Sequence, residues 1–273
     1  MTGRSAIVLG GGELGTGIAH ALFRAGLHVL VVDRPVPSAL RLGVAFAAAA
    51  VAAERRITVE GVAAVSCGSH REIAAAWERG EVPLWVGPVA ALRLRAALCV
   101  DARMRRLTAP LARWPEAEVR IGIGPGFVAG GDVGFVVESN RGPTLGRVLE
   151  RGSAETHTGL PGLVAGYREE RILRAPCAGR FVRRRALGAF VAPGDIVGEV
   201  AGQAVRARLD GMVRGLKLTG VPVGAGHKVG DVDPRRDRAL LATMTDKARA
   251  VGQGVLRALE LAGSSAPGHI SSA

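Results

Sequence analysis

The sequence predicts an α/β protein in which a largely parallel sheet precedes a smaller, β-rich domain. Short β-branched runs alternate with helical patterns up to about residue 118, whereas the pattern after residue 170 is β-like and contains an internal repeat. With 273 residues, 48% of them hydrophobic, the chain is long enough for a large core and for two domains.

The first predicted strand and helix are joined by a glycine-rich turn. The apolar run 6–9 leads into Gly10, Gly11 and Gly12, and Gly10, Gly12 and Gly15 have the spacing G-x-G-x-x-G. In that pattern the backbone turns tightly and approaches a phosphate closely, while the helix directs free N–H groups at the anion. The stretch therefore predicts a Rossmann-like phosphate-binding site, and a tight turn without a ligand is the alternative.

An acidic residue ends each of two predicted strands at the same edge of the sheet. Asp33 ends the run 27–32 and follows Gly15 by 18 residues, near the position from which an acid usually holds a ribose hydroxyl. Asp101 ends the run 97–100 and is either a second ligand contact or a loop cap. Between the two acids, residues 38–54 predict an alanine-rich helix.

Residues 119–148 form the most glycine-dense stretch of the chain. Gly124 and Gly126 follow a predicted strand, in a turn that exposes backbone amides. Asp132 and Arg141 add polar groups nearby, so the stretch is either a second grip on a polar ligand or an ordinary hairpin connection.

The β-rich part contains two copies of one unit. A shift of 32 residues superposes Arg174 on Arg206, Gly179 on Gly211 and Val200 on Val232 without a gap. The unit resembles the biotinyl/lipoyl barrel-sandwich hybrid, in which two such halves meet at a hairpin that carries a modified lysine. No lysine lies between residues 198 and 216, which argues against a carrier role and for scaffolding or docking.

These patterns divide the chain into four predicted segments. We expect a Rossmann-like nucleotide- or phosphate-binding domain at 1–118, a glycine-rich connection with strands at 119–170, the β domain at 171–235, and a closing helix with a disordered tail at 236–273. Lys247 stands in the first turn of the closing helix, where the helix dipole disfavours a cation. It is either a ligand contact or a surface residue.

Composition narrows the classes of partner. The formal net charge is +12, but the basic residues are dispersed and aromatic residues make up only 4%, which argues against nucleic-acid binding. The longest apolar run is shorter than a membrane span and no signal peptide is apparent, so we expect a cytoplasmic protein. Three isolated cysteines and scattered histidines predict no metal site, and we identify no catalytic residues.

Nearly the whole chain resembles the accessory proteins of the selenium-dependent molybdenum hydroxylase system, which are maturation factors for enzymes of the xanthine dehydrogenase type. The resemblance rests on collinear motifs, the strongest of which are Gly124-Pro125-Gly126-Phe127, Leu145-Gly146-Arg147-Val148 and Asp246-Lys247-Ala248-Arg249-Ala250. Further matching stretches are residues 10–14, 41–46, 59–62, 100–102, 141–142, 152–154 and 158–162.

The resemblance implies a non-catalytic accessory protein that docks on a molybdenum hydroxylase or on its maturation proteins. A second copy of the chain is another candidate partner. The expected ligand is an NAD(P)-like nucleotide or the molybdenum cofactor, and the alternative function is an NAD(P)-dependent oxidoreductase. The candidate ligand-binding residues are Gly10, Gly11, Gly12, Gly15, Asp33, Asp101, Gly124, Gly126, Asp132 and Arg141.

Overall fold

A computed structural model describes residues 4–104, 114–157 and 159–264. Residue 158, which begins the matching stretch 158–162, lies outside the described residues, and so do residues 265–273 of the expected tail. The predicted α/β class is confirmed, since the chain combines one large mixed sheet, two antiparallel sheets and three α-helices in the described residues. None of the described helices is long and apolar enough to cross a membrane.

The large sheet has nine strands in the order β3-β4-β5-β2-β1-β6-β7-β8-β9. The seven strands from β4 to β8 in this order are mutually parallel, and β3 and β9 add antiparallel edges. The strands are β1 (Ser5–Leu9), β2 (His28–Asp33), β3 (Arg56–Val59), β4 (Val62–Cys67), β5 (Val82–Val86), β6 (Arg95–Asp101), β7 (Glu116–Ile123), β8 (Phe135–Val137) and β9 (Val148–Leu149).

Three α-helices accompany this sheet: α1 (Glu13–Arg24), α2 (His70–Glu78) and α3 (Asp246–Ser264). Helices α1 and α3 cross closely because both present glycine at the crossing. A Cβ atom at Gly17 would lie 2.5 Å from the carbonyl oxygen of Ala248, and one at Gly252 would lie 2.7 Å from that of Gly17. The closing helix is thereby fixed against the helix that follows the glycine loop.

The predicted helix at 38–54 is wrong, because the chain forms two short 3-10 helices there, Leu42–Val44 and Phe46–Ala50. The amides that a longer helix would use internally are taken by other elements. Phe46 donates its backbone N–H to the hydroxyl of Thr16 at 2.8 Å, and Ala47 donates to the carbonyl of Gly11 at 2.9 Å. Tertiary hydrogen bonds thus override the helix propensity of the alanines.

The β-rich part consists of two four-stranded antiparallel sheets, β10-β17-β15-β12 and β14-β13-β11-β16. A shift of 32 residues carries β10–β13 onto β14–β17 and converts one strand order into the other. Each sheet therefore mixes strands of both copies. The strands are β10 (Ile172–Arg174), β11 (Gly179–Arg183), β12 (Phe190–Val191), β13 (Ile196–Val200), β14 (Gln203–Arg206), β15 (Gly211–Leu216), β16 (Pro222–Val223) and β17 (Lys228–Asp233).

Candidate functional site

The glycine loop leaves the amino end of α1 open. Gly10 has a φ of +99°, a conformation that favours glycine, and a Cβ atom at Gly15 would overlap the carbonyl oxygen of Gly10. Gly12 is the N-cap of α1, with an extended backbone and no side-chain cap among the described residues. Within that same part of the chain, a Cβ atom at Gly12 would meet nothing within 4 Å. Two glycines therefore serve the turn itself, whereas Gly12 borders open space.

Asp33 closes the side of this loop. One carboxylate oxygen accepts a hydrogen bond from the N–H of Gly11 at 2.7 Å, and the other accepts from the N–H of Arg34 at 2.7 Å. Each oxygen retains a further lone pair for a donor in the space above the loop. Asp33 thus fixes the loop and still presents acceptor capacity.

Asp101 is completely buried and holds an arginine in place. Its carboxylate accepts from the backbone N–H of Arg103 at 3.1 Å, from Nε at 2.9 Å and from Nη2 at 2.8 Å. The Arg103 side chain lies beside the glycine loop, since a Cβ atom at Gly10 would be 3.0 Å from Arg103 Cγ. Asp101 is therefore a positioning residue, and Arg103 is the group that faces the loop.

These residues enclose a crevice of about 330 Å³, which we call the glycine-loop crevice. It lies beyond the carboxyl ends of β1, β2 and β6, where the strand order runs in opposite directions from β1. Ligands of parallel α/β sheets bind at such positions. The crevice is lined by Leu9, Gly10, Gly12, Val32, Asp33, Arg34, Ser38, Ala39, Gly87, Val89, Ala102 and Arg103.

The glycines after β7 serve a loop rather than this crevice. Gly124 and Gly126 have φ values of +73° and +97°, and a Cβ atom at Gly124 would lie 2.5 Å from the Ser139 hydroxyl oxygen. The buried Glu138 carboxylate accepts from the backbone N–H groups of Ser139 at 2.6 Å and Asn140 at 2.7 Å. The polar groups of this stretch are thus used to organise its own backbone.

The two remaining predicted residues lie apart from the crevice. Asp132 accepts a hydrogen bond from the N–H of Val128 at 3.1 Å in the turn before β8. This turn lies at the amino end of β8, whereas the crevice lies on the side of the sheet where the parallel strands have their carboxyl ends. Arg141 pairs with Asp246 at 2.7 Å and lines a different cavity. The structure therefore brings Gly10, Gly12 and Asp33 to one crevice, with Gly11, Gly15 and Asp101 supporting it from behind.

Sequence reasoning missed two cations of the crevice, Arg34 and Arg103. A signal was present, because each acid at a strand end is followed within two residues by an arginine: Asp33 by Arg34 and Asp101 by Arg103. The charges of the two arginines balance those of the two acids. The crevice therefore suits a ligand that carries both an anionic group and hydrogen-bond donors.

Two buried thiols, and no metal-binding cluster, are found in the described part of the chain. Residues 4–104, 114–157 and 159–264 contain no group of three or more His, Cys, Asp or Glu side chains arranged to hold a metal ion. Burial, together with the nearby Glu72, raises the pKa of the Cys67 thiol to about 11. Burial also raises the pKa of Cys99 strongly, with Asp101 adding to the effect. Both thiols are therefore protonated and poorly nucleophilic near neutral pH.

The sequence matches no protein-family model. It is 40% identical over 255 residues to a curated relative described as the uncharacterized protein YqeB of Escherichia coli strain K12. The match covers 93% of this chain and 47% of the relative, so the chain spans about half the length of the curated protein it matches.

Several solved structures align over most of the chain at low similarity. An aspartoacylase family protein from Mesorhizobium loti is 13% identical, with a TM-score of 0.27, and covers 84% of this chain and 85% of its own. The product-bound ectoine utilization protein EutE (DoeB) from Ruegeria pomeroyi is 15% identical over the same shares, with a TM-score of 0.26. A succinylglutamate desuccinylase/aspartoacylase from Rhodobacter sphaeroides is 16% identical, also over 84% and 85%, with a TM-score of 0.25. Alignments this loose assign no function to the chain.

The comparisons contradict the predicted family. The structural matches are to aspartoacylase and succinylglutamate desuccinylase proteins, and neither they nor YqeB supports a selenium-dependent molybdenum hydroxylase accessory protein. That assignment and its alternative, an NAD(P)-dependent oxidoreductase, are therefore wrong. The physical reason is that many of the matched residues are glycines in turns or residues that pack a helix, and both report backbone geometry and packing rather than chemistry.

Proposed function

We propose that this chain is a small-molecule-binding protein whose ligand carries a phosphate group and free hydroxyls, held in the glycine-loop crevice. The observation that supports this most is the amino end of α1, which no side chain caps among the described residues and which borders the open space beside Gly12. The first N–H groups of a helix have no partners within the helix, and they attract anions.

The charges around the crevice favour a ligand of this mixed character. The phosphate would face the α1 amino end and the guanidinium groups of Arg34 and Arg103, which lie at the crevice wall. The carboxylate of Asp33 would accept from hydroxyl groups through the lone pairs that Gly11 and Arg34 leave free. The Asp33 carboxylate would repel an anion that has no hydroxyl group to donate a hydrogen bond to it. Phosphate alone should therefore bind more weakly than a phosphorylated polyol.

Ribose 5-phosphate is a suitable probe because it joins the two required groups. Calorimetric titration should show binding of ribose 5-phosphate, with at least about tenfold weaker binding of ribose and of inorganic phosphate. Mass spectrometry of material retained by the purified chain would identify a natural ligand of the same class.

Gly12 allows the crevice to be narrowed without disturbing the turn. Gly12→Ala and Gly12→Val place methyl groups in open space on a backbone that all residues adopt, so binding should fall stepwise, by about tenfold or more for valine. Gly263→Ala is the matched control, because Gly263 is likewise open to an added Cβ atom within the described residues but lies at the end of α3. Unchanged affinity in both Gly12 variants would refute the crevice as the site.

The finer architecture is part of the same proposal. We interpret the large sheet as a Rossmann-like domain and the two exchanged four-stranded sheets as a domain of the barrel-sandwich type, in keeping with the predicted divisions at residues 118, 170 and 235. A cytoplasmic location and assembly with a second copy of the chain stay predictions of the sequence.

A further inference from the structure

A second cavity lies where the large sheet, the β domain and the start of α3 meet. It has a volume of about 410 Å³ and is lined by five arginines, so we call it the arginine cavity. Its lining arginines are Arg41, Arg141, Arg171, Arg214 and Arg235. The remaining wall includes Thr243, Met244 and Thr245, which lead into α3. The glycine-loop crevice, in contrast, is lined by two arginines.

Each arginine contacts a carboxylate, but the carboxylates are fewer than the arginines. Four acids serve five guanidinium groups, so the cluster retains one net positive charge at neutral pH. Only Asp246 among these acids lines the cavity, whereas the others lie behind the arginines. The contacts are Arg41 with Glu13, Arg141 with Asp246 at 2.7 Å, Arg171 with Asp231 at 3.1 Å, Arg214 with Asp233 at 3.0 Å and Arg235 with Asp233 at 2.7 Å.

Hydrogen-bond capacity is left unused in this cluster. The Nε atoms of Arg41 and Arg214 are buried and have no hydrogen-bond partner in the described parts of the chain. The Arg41 side chain is only 7% exposed. Buried donors without acceptors are costly, and guanidinium groups prefer the paired oxygens of carboxylates and phosphates. One acceptor of the same cluster, Asp231 Oδ1, is also buried without a partner, so both donors and an acceptor of the cluster lack hydrogen bonds in the described residues.

Lys247 adds another cation beside the cavity. Its ammonium donates no hydrogen bond to any residue that the structure describes, although the side chain is half-buried. Burial and the nearby Arg141 lower the pKa of Lys247, although the carboxylates of Glu138, Glu13 and Asp246 act in the opposite direction. Lys247 therefore adds positive charge next to the lining residue Asp246, at a position that the helix dipole disfavours.

From these contacts we infer that the arginine cavity binds a small dianion whose charge resides on oxygen atoms, such as a phosphate or a dicarboxylate. A dianion would accept hydrogen bonds from guanidinium groups that line the cavity and would offset the excess positive charge of the cluster. The volume suits a small molecule rather than a polymer. The site is separate from the glycine-loop crevice, so it does not depend on the function proposed above.

Inorganic phosphate and succinate distinguish the two sources of such a dianion. Each is titrated into the full chain at low ionic strength, and into a Gly12→Val variant that removes any contribution from the glycine-loop crevice. We expect at least one dianion to bind both proteins with equal affinity. Binding of phosphate alone identifies a phosphate ligand, and binding of succinate alone identifies a dicarboxylate.

Two rim residues test the cavity in opposite directions. Arg141 and Asp246 have side chains 45% and 73% exposed, and such exposed pairs contribute little to stability, so both variants should fold. Arg141→Gln should weaken dianion binding by about tenfold, whereas Asp246→Asn removes a competing carboxylate and should strengthen it by about two- to fivefold. Arg184→Gln, which makes the same charge change in the distant pair Arg184–Glu199, is the control.

The opposite signs separate a binding site from a purely structural cluster. A structural pair would lose stability in both variants and would change affinity in neither. Failure of phosphate and succinate to bind, or equal affinities in Arg141→Gln and Arg184→Gln, would overturn the inference. Loss of dianion binding in Gly12→Val with full binding in Arg141→Gln would also overturn it, while leaving the glycine-loop crevice intact.

Discussion

Removing the carboxylate of Asp233 should reduce the loss of unfolding free energy that this protein shows at acidic pH. Asp233 is completely buried. Burial alone would raise its pKa, but hydrogen bonds from Arg235 and the charge of Arg214 lower it from 3.8 to about 2. The folded state therefore binds this proton less readily than the unfolded state. The resulting stabilisation is complete above about pH 5 and is lost as the pH falls through 4 towards 2.

The magnitude follows from the shift. A difference of one pKa unit corresponds to about 1.4 kcal/mol, so the carboxylate contributes about 2 kcal/mol at neutral pH. Roughly half of that contribution should be lost by about pH 3. Asp233→Asn keeps the side-chain shape but removes the titrating group. It should be less stable than the wild type at neutral pH, because Arg214 would remain buried beside a neutral partner.

The assay is urea unfolding of both proteins from about pH 6 to about pH 3. The difference in the free energy of unfolding between wild type and Asp233→Asn should shrink by about 1 kcal/mol over this range. The other carboxylates are present in both proteins, so their contributions to the pH dependence cancel in this difference. Asp210→Asn, at an exposed turn of the same domain, should stay within about 0.5 kcal/mol of the wild type throughout. A difference for Asp233→Asn that is independent of pH would refute the reasoning.

Two further substitutions and one labelling experiment test the packing. Gly15→Ala should lower the free energy of unfolding by about 1–3 kcal/mol, because its methyl group would overlap the carbonyl of Gly10; urea unfolding at the wild-type stability would contradict this. Phe46→Ala should cost about 3–5 kcal/mol in the same assay, since Phe46 is completely buried in the core. A thiol reagent should modify the half-buried Cys177 before the buried Cys99, and labelling of Cys99 at the rate of Cys177 in the folded chain would contradict its burial.

The sequence was informative wherever a local pattern determines a local structure. The run 6–9, the glycines after it and the run ending in Asp33 correctly predicted β1, the turn, α1 and β2. Spacing also revealed the 32-residue shift, which relates the strand orders of the two antiparallel sheets. These features depend on periodicity and on turn geometry, and both can be read from neighbouring residues.

The sequence failed where distant contacts decide the outcome. Phe46 and the alanines at 47–50 form a 3-10 helix because Thr16 and Gly11 accept the hydrogen bonds of the Phe46 and Ala47 amides. Asp101 is buried under Arg103 instead of facing a ligand, a pairing that depends on how the chain leaves β6. Neither arrangement can be predicted from a strand end alone.

The arginine cavity shows the same limit at a larger scale. Its arginines come from positions between residues 41 and 235, and only the tertiary structure brings them together around one cavity. The family resemblance failed for a related reason, because its motifs lie in turns and at a helix start, which many folds share. Local glycine patterns predicted the turn beside the glycine-loop crevice but gave no information about the protein family.

The backbone amides at the start of α1 provide the most direct test of the glycine-loop crevice. Amide chemical shifts of isotopically labelled chain are followed by NMR during titration with ribose 5-phosphate. We predict saturable shifts of Gly12, Glu13, Leu14 and Gly15, because Gly12 lines the crevice and the other three supply the first N–H groups of α1. Shifts confined to Arg141, Arg171 and Arg214 in the arginine cavity, or no saturable shift at all, would contradict the account.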